Sequence, residues 1–254
     1  MIRNLIISLG VAGLVAAACT SSPTPSPSRL AAGSPNATVP STTGSPYRPA
    51  IDPANFGGPV DNPYFALIPG TKFVYKGTKD GESQVDEVIV TDRTKVIMGV
   101  TCVAVSDVAK HGRTLLESTE DWYAQDKDGN VWYFGEDTKE YEKGKVSSTE
   151  GSWQSGVDGA QPGIVMPAHP KVTDSYRQEF YPGQAEDMFW VLSLSQKVSV
   201  PYGSYSDALL TMEWTPLEPE VIDQKYYVAG VGLVLETSAA GPHETARLVS
   251  LTRP

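Results

Sequence analysis

Thr114-Leu115-Leu116-Glu117-Ser118-Thr119-Glu120-Asp121-Trp122-Tyr123-Ala124-Gln125-Asp126-Lys127-Asp128-Gly129-Asn130-Val131-Trp132-Tyr133-Phe134-Gly135 is two strand-like runs around one turn. The flanks are rich in aromatic and β-branched residues. Asp126-Lys127-Asp128-Gly129 is a hairpin turn, because Gly accepts the positive φ that such turns need. The same rhythm extends in both directions. Upstream, strands are expected over 71–77, 85–92, 94–98 and 100–109, with a bulge or sharp bend at Gly99. Downstream, a hairpin closes at Glu142-Lys143-Gly144-Lys145, and strands follow over 174–180, 191–200, 206–215, 222–228, 233–237 and 246–252.

No segment of helical length carries a 3.6-residue apolar period with caps; Gln184 to Phe189 is the best short-helix candidate. The fold class is therefore all-β with minor α: a curved antiparallel sheet or half-barrel, or a β-sandwich. Gly151 to Val172 breaks the rhythm with Pro162-Gly163, Met166-Pro167 and His169-Pro170. It reads as a long ordered loop, a lid over the concave face.

The N-terminus differs in kind. Arg3, an apolar run from Leu5 to Val15 and Ala16-Ala17-Ala18 form a signal peptide over 1–18, too short to cross a bilayer permanently. Residues 19–58 are rich in Ser, Thr, Pro, Gly and Ala and read as a disordered tether, since such a chain cannot bury enough surface to offset its ordering entropy. Residues 59–254 form one β-rich domain. Loss of Arg3 with the signal moves the formal charge from −10 to −11. An exported chain so acidic and without a basic cluster repels nucleic acid.

Leu14-Val15-Ala16-Ala17-Ala18-Cys19 resembles the bacterial lipobox, with Ala16 where Leu is usual. The resemblance implies a diacylglycerol-modified Cys19 as the new N-terminus, anchoring the chain in the cell envelope. Asn62-Pro63-Tyr64-Phe65-Ala66-Leu67-Ile68-Pro69-Gly70, Asp121 to Glu136, Val200 to Leu209 and Tyr226 to Val234 resemble phrases of uncharacterised bacterial secreted lipoproteins. The strand-and-turn rhythm is similar to the lipoprotein-carrier (LolA-like) half-barrel, which implies room for acyl chains.

Chemical motifs are sparse. From Asp126 the EF-hand pattern fails at position six, where Val131 replaces Gly, and His111, His169 and His243 are isolated, so no metal and no cofactor is expected. No nucleophile elbow or phosphate loop is present. Cys102 lies in an apolar run and reads as a small buried hydrophobe. Glu120, Asp121, Glu136, Glu179, Glu186 and Asp187 read as solvated surface charge, although a pair of them would suit glycoside hydrolysis. The aromatics Trp122, Trp132, Phe134 and Trp153 are the candidate ligand-binding residues. Trp132 and Phe134 share a strand face that Tyr133 does not. The expected activity is non-enzymatic binding of a lipid, an amphipathic small molecule or a partner; the alternatives are a polysaccharide hydrolase or a cell-wall glycan-binding module.

Overall fold

The computed structural model describes residues 47–79 and 81–254; the signal peptide, Cys19 and most of the tether lie outside the described residues. One short 3₁₀ turn, Pro53–Asn55, precedes fifteen strands. These are β1 (Lys72–Lys79), β2 (Glu82–Ile97), β3 (Val100–His111), β4 (Thr114–Gln125), β5 (Val131–Glu142), β6 (Lys145–Ser148), β7 (Trp153–Gln154), β8 (Gln161–Met166), β9 (Ser175–Arg177), β10 (Glu179–Phe180), β11 (Met188–Val200), β12 (Gly203–Trp214), β13 (Ile222–Val228), β14 (Gly232–Ala240) and β15 (Glu244–Thr252).

All fifteen join one open, curved antiparallel sheet in the order β10-β8-β5-β4-β3-β2-β1-β15-β14-β13-β12-β11-β9, with β6 and β7 also paired to β5. Two meanders meet where the first strand pairs the last, Lys72 opposite Thr252 and Lys79 opposite Glu244. The terminal members of the ladder, β9 and β10, are consecutive in the chain with only Gln178 between them. One extended segment thus pairs with β11 through Arg177 and with β8 through Glu179. Gly163 of β8 permits this approach: a Cβ there would fall 2.4 Å from the Arg177 carbonyl oxygen.

The sheet wraps one apolar cluster drawn from β1–β5, β7, β8 and β11–β15 and from the loop before β1. A second cluster lies on the opposite face of β2–β5, where Ile97, Val100, Cys102, Ala104, Trp122, Ala124 and Phe134 are covered by Ile51 and Phe56. Period-two alternation separates the two: Tyr123 and Tyr133 face inward, Trp122 and Phe134 outward. Gly135, at φ 133°, carries the bulge that shifts the register and turns Glu136 inward beside Tyr133.

Several expectations change. Gln184 to Phe189 holds no helix: Ala185 bridges Tyr181, and β11 begins at Met188. The apolar positions there fit a period of two, with Phe189 and Val191 buried and Trp190 exposed. Gly151 to Val172 is not a lid, because β7 and β8 within it extend the sheet by pairing with β5. The packed chain also begins before residue 59. Asp52 caps the 3₁₀ turn by accepting from the Ala54 amide, and Phe56 packs edge-on against Trp132 and Phe134.

Candidate functional site

The sheet interior is divided along the strands. At one end it is apolar and aromatic: Phe73, Tyr75, Val88, Val105, Tyr123, Tyr133 and Leu233. This end is covered by a loop, Val60 to Thr71, that pushes Phe65 and Leu67 into the core. Phe65 meets the Tyr123 ring edge-on at 5.3 Å. The loop is pinned by Asn62, whose Nδ2 donates to the carbonyls of Gly129 (3.0 Å) and Pro167 (3.1 Å). The Asp61 and Asn62 amides donate to Gln125 Oε1, and the Pro63 carbonyl accepts from the Gly230 amide. Gly57 and Gly70, both at positive φ, flank the loop. Beneath it remains a cavity of about 40 Å³ lined by Phe65, Leu67, Phe73, Tyr75, Val88, Tyr123 and Leu233, with Asp121 as its acidic member. That volume suits a water molecule or two. A small-molecule pocket needs ~300 Å³ or more, so the loop side chains leave this end filled.

At the other end the interior is acidic. Asp86, Asp107, Glu117, Asp121, Glu136, Glu179, Asp187, Glu213, Asp223 and Glu236 are all at most 5% exposed, and Lys225 is the one buried cation among the described residues. The expectation of solvated surface charge is therefore wrong for Asp121, Glu136, Glu179 and Asp187. Asp121 continues the inward parity of Tyr123, as Glu117 does, and the bulge at Gly135 turns Glu136 inward, so the surface that buries the tyrosines buries these carboxylates too.

Hydroxyls and amides satisfy many of these groups. Tyr133 donates to Asp121 (2.7 Å), Thr138 to Glu136 (2.7 Å), Thr119 to Glu117 (3.1 Å) and Gln84 to Asp86 (2.8 Å). The Lys225 ammonium sits 2.8 Å from Glu213, off the line of a well-aligned hydrogen bond, and 4.0 Å from Glu236. Burial would favour its neutral form, but Glu213 and Glu236 hold it protonated, well above the usual lysine range. Burial outweighs Lys225 at Glu236 and raises that carboxyl well above its usual range, and Glu213 is the nearer partner of the ammonium. Burial pushes Asp86 up to about 7 and Asp187 up to about 8, with Glu117 and Glu213 respectively reinforcing the effect. Asp107 is raised well above its usual range by burial and by Asp86, Asp121, Glu117 and Glu236.

The sequence-predicted aromatics divide between the two faces. Trp122, Trp132 and Phe134 come together on the outer cluster, whereas Trp153 lies in the inner one, edge-on to Tyr133 at 5.3 Å. Trp122 donates to Glu120 and carries the Lys95 ammonium 3.2 Å from its ring centroid. Trp132 donates to Asp126, which also accepts from the Asn130 amide and side chain. Next to Trp132 two adjoining surface hollows of about 210 and 440 Å³ share Asn55, Phe56, Asp126 and Lys127.

Cys102 is fully buried, its thiol pushed up to about 12 by burial, and it lies at the opposite end of β3 from His111. Among the described residues no three His, Cys, Asp or Glu side chains are arranged to hold a metal ion.

The chain matches no family model and no curated protein. Two solved structures share its outline. A Bacteroides fragilis protein described as exported, with a YmcC-like fold, aligns over 75% of this chain and 99% of its own at 11% identity and a TM-score of 0.45. A Parabacteroides distasonis protein described as a lipoprotein aligns over 74% of this chain and 98% of its own at 13% identity and a TM-score of 0.41. Both likenesses lie below the level at which similarity of form says anything of activity.

Proposed function

We propose that the chain is an exported lipoprotein, held at the outer side of a bacterial membrane by acyl groups on Cys19, whose domain binds an apolar or amphipathic ligand without transforming it. The observation that carries the binding reading is the covering of the apolar interior. A loop between glycines, and not a strand of the sheet, closes that end, and Phe65 and Leu67 occupy what would otherwise be a cup. Withdrawing a loop breaks a few hydrogen bonds, whereas withdrawing a strand breaks a ladder. Of the carboxylates that hydrolysis would draw on, Asp121, Glu136, Glu179 and Asp187 are sequestered in the same interior, and Glu120 and Glu186 pair with Arg93 and Arg177.

Three experiments test the two halves of the reading. Native mass spectrometry of the chain purified without detergent from its own host is expected to show bound amphiphile. A Phe65→Ala/Leu67→Ala variant is expected to take up an apolar fluorescent dye more strongly than the natural chain. A homogeneous unliganded mass together with no dye uptake by the variant overturns the cup. For the anchor, Cys19→Ser is expected to move the protein from the membrane fraction to the medium, because each buried CH₂ of the lost acyl chains contributes roughly 0.8 kcal/mol of membrane affinity. Unchanged fractionation of that variant removes the lipoprotein assignment.

A further inference from the structure

The outer face carries a second concavity. The segment from Ala50 to Pro59 runs beside the turn of the β4–β5 hairpin and is bridged to it at Phe56 and Asp126. The two hollows of about 210 and 440 Å³ open here. Neither shares a lining residue with the cavity under Phe65 and Leu67. Together they reach the ~300–1,000 Å³ typical of small-molecule sites.

The frame of this concavity is fixed from within. Asp126 accepts from the Asn130 amide (2.9 Å), the Asn130 side chain (2.9 Å) and Trp132 Nε1 (2.8 Å), which holds the indole in one orientation. Phe56 supports it edge-on, with 6.4 Å between ring centroids. The Lys127 amide donates to the Asn55 carbonyl (2.8 Å), and Asp61 accepts from Gln125 (2.7 Å). Gly57 and Gly58 line the wider hollow, and a Cβ on either would meet no atom within 4 Å, so that side stays open.

The groups left for a ligand are different ones. Asn55, Lys127 and Asp128 are exposed and hold no side-chain hydrogen bond or ion pair among the described residues. They offer an amide, an ammonium and a carboxylate beside a half-buried indole. A wholly apolar ligand would desolvate all three without return. The opposite charges of Lys127 and Asp128 stand side by side, so neither a cation nor an anion is favoured. A sugar ring suits both halves. Its C–H face presents weakly positive hydrogens to the negative face of the indole, and its hydroxyls both donate and accept. We infer that the concavity is a binding site for a neutral saccharide, stacked on Trp132 and hydrogen-bonded by Asn55, Lys127 and Asp128.

The test uses the full secreted chain carrying Cys19→Ser, titrated by calorimetry and by tryptophan emission. The probes are the neutral tetrasaccharides of glucose and of N-acetylglucosamine, and the glucosamine tetramer with its amines protonated. Near-ultraviolet circular dichroism checks that the fold is retained. At least one neutral tetrasaccharide is expected to bind with a dissociation constant below about 1 mM and to shift the emission. Trp132→Phe keeps an aromatic platform, and is expected to hold the affinity within about threefold while abolishing the emission shift. Lys127→Ala/Asp128→Ala, at exposed positions of the turn, and Gly58→Tyr, which fills open space, are each expected to weaken binding about tenfold.

Failure of both neutral tetrasaccharides to bind overturns the site. Tighter binding of the glucosamine tetramer than of either neutral one overturns the neutral class. Neutral binding that all three variants leave unchanged overturns the assignment to this concavity. None of these outcomes bears on the cup, which the dye and mass measurements test separately.

Discussion

The folded domain is expected to lose stability as the pH rises from about 4 to about 8, the reverse of ordinary acid denaturation. In the unfolded chain Asp86 and Asp187 titrate near 3.9. In the folded domain burial moves them up to about 7 and about 8, and raises Asp107 and Glu236 well above their usual ranges. Between those limits the native state holds protons that the unfolded chain has released, so the slope of stability against pH is negative. The stabilisation is fully present below the unfolded value and is lost as the pH passes through the folded one. A shift of one unit corresponds to about 1.4 kcal/mol, so Asp86 alone contributes on the order of 4 kcal/mol to the difference. Urea midpoints measured at intervals across this range are expected to fall toward the alkaline end with an unchanged m-value. A midpoint that is flat or rising sinks the prediction.

The second large effect is expected at Lys225. Its ammonium lies 2.8 Å from Glu213, both groups are sealed from solvent, and Glu213 also accepts from Thr211 (3.2 Å) and Tyr227 (3.4 Å). Lys225→Met keeps much of the aliphatic volume and leaves a buried carboxylate uncompensated, at a cost of about 3–5 kcal/mol. Adding Glu213→Gln removes the second charge as well and is expected to restore most of that loss, since the two residues act as one unit. Chemical denaturation of the natural chain, the single variants and the double variant measures this directly. A loss below about 1 kcal/mol in the Lys225→Met variant shows that the pair is not what balances this side of the interior.

Much of the ladder was legible because the strands obey period two and are punctuated by turn residues. β4 runs over Thr114–Gln125 as the sequence suggests, and the two-residue turn at Met98-Gly99, both at positive φ, stands at the expected bend. Two kinds of information were not legible. The first is non-local pairing. Nothing in Gly151 to Val172 states that β7 and β8 will find β5, because their ladder partners lie up to 35 residues away, as Met166 does from Val131. The second is which side of a strand becomes the inside. Glu117, Thr119, Asp121 and Tyr123 share one parity, so the signal that these acids follow a core tyrosine inward was present. Surface charge is so much the commoner fate of Asp and Glu that the parity argument was outweighed. Of the candidate aromatics, alternation separated Trp132 and Phe134 from Tyr133 correctly. It could not reveal that Phe65 and Leu67, in a loop without periodicity, hold the lining positions of the cavity.

The junction at Gln178 also bears on how such domains tolerate one another. A sheet of this length ordinarily ends in two rows of unpaired backbone amides and carbonyls that recruit strands from neighbouring molecules. Here a single run, Ser175 to Phe180, reaches both ends: β9 pairs with Met188 to Trp190 of β11, and β10 with Gln161 and Pro162 of β8. Beyond Trp190 the outer edge of β11 meets no further strand among the described residues, and the exposed Lys197 there is the kind of charge that blunts the addition of a neighbour's strand.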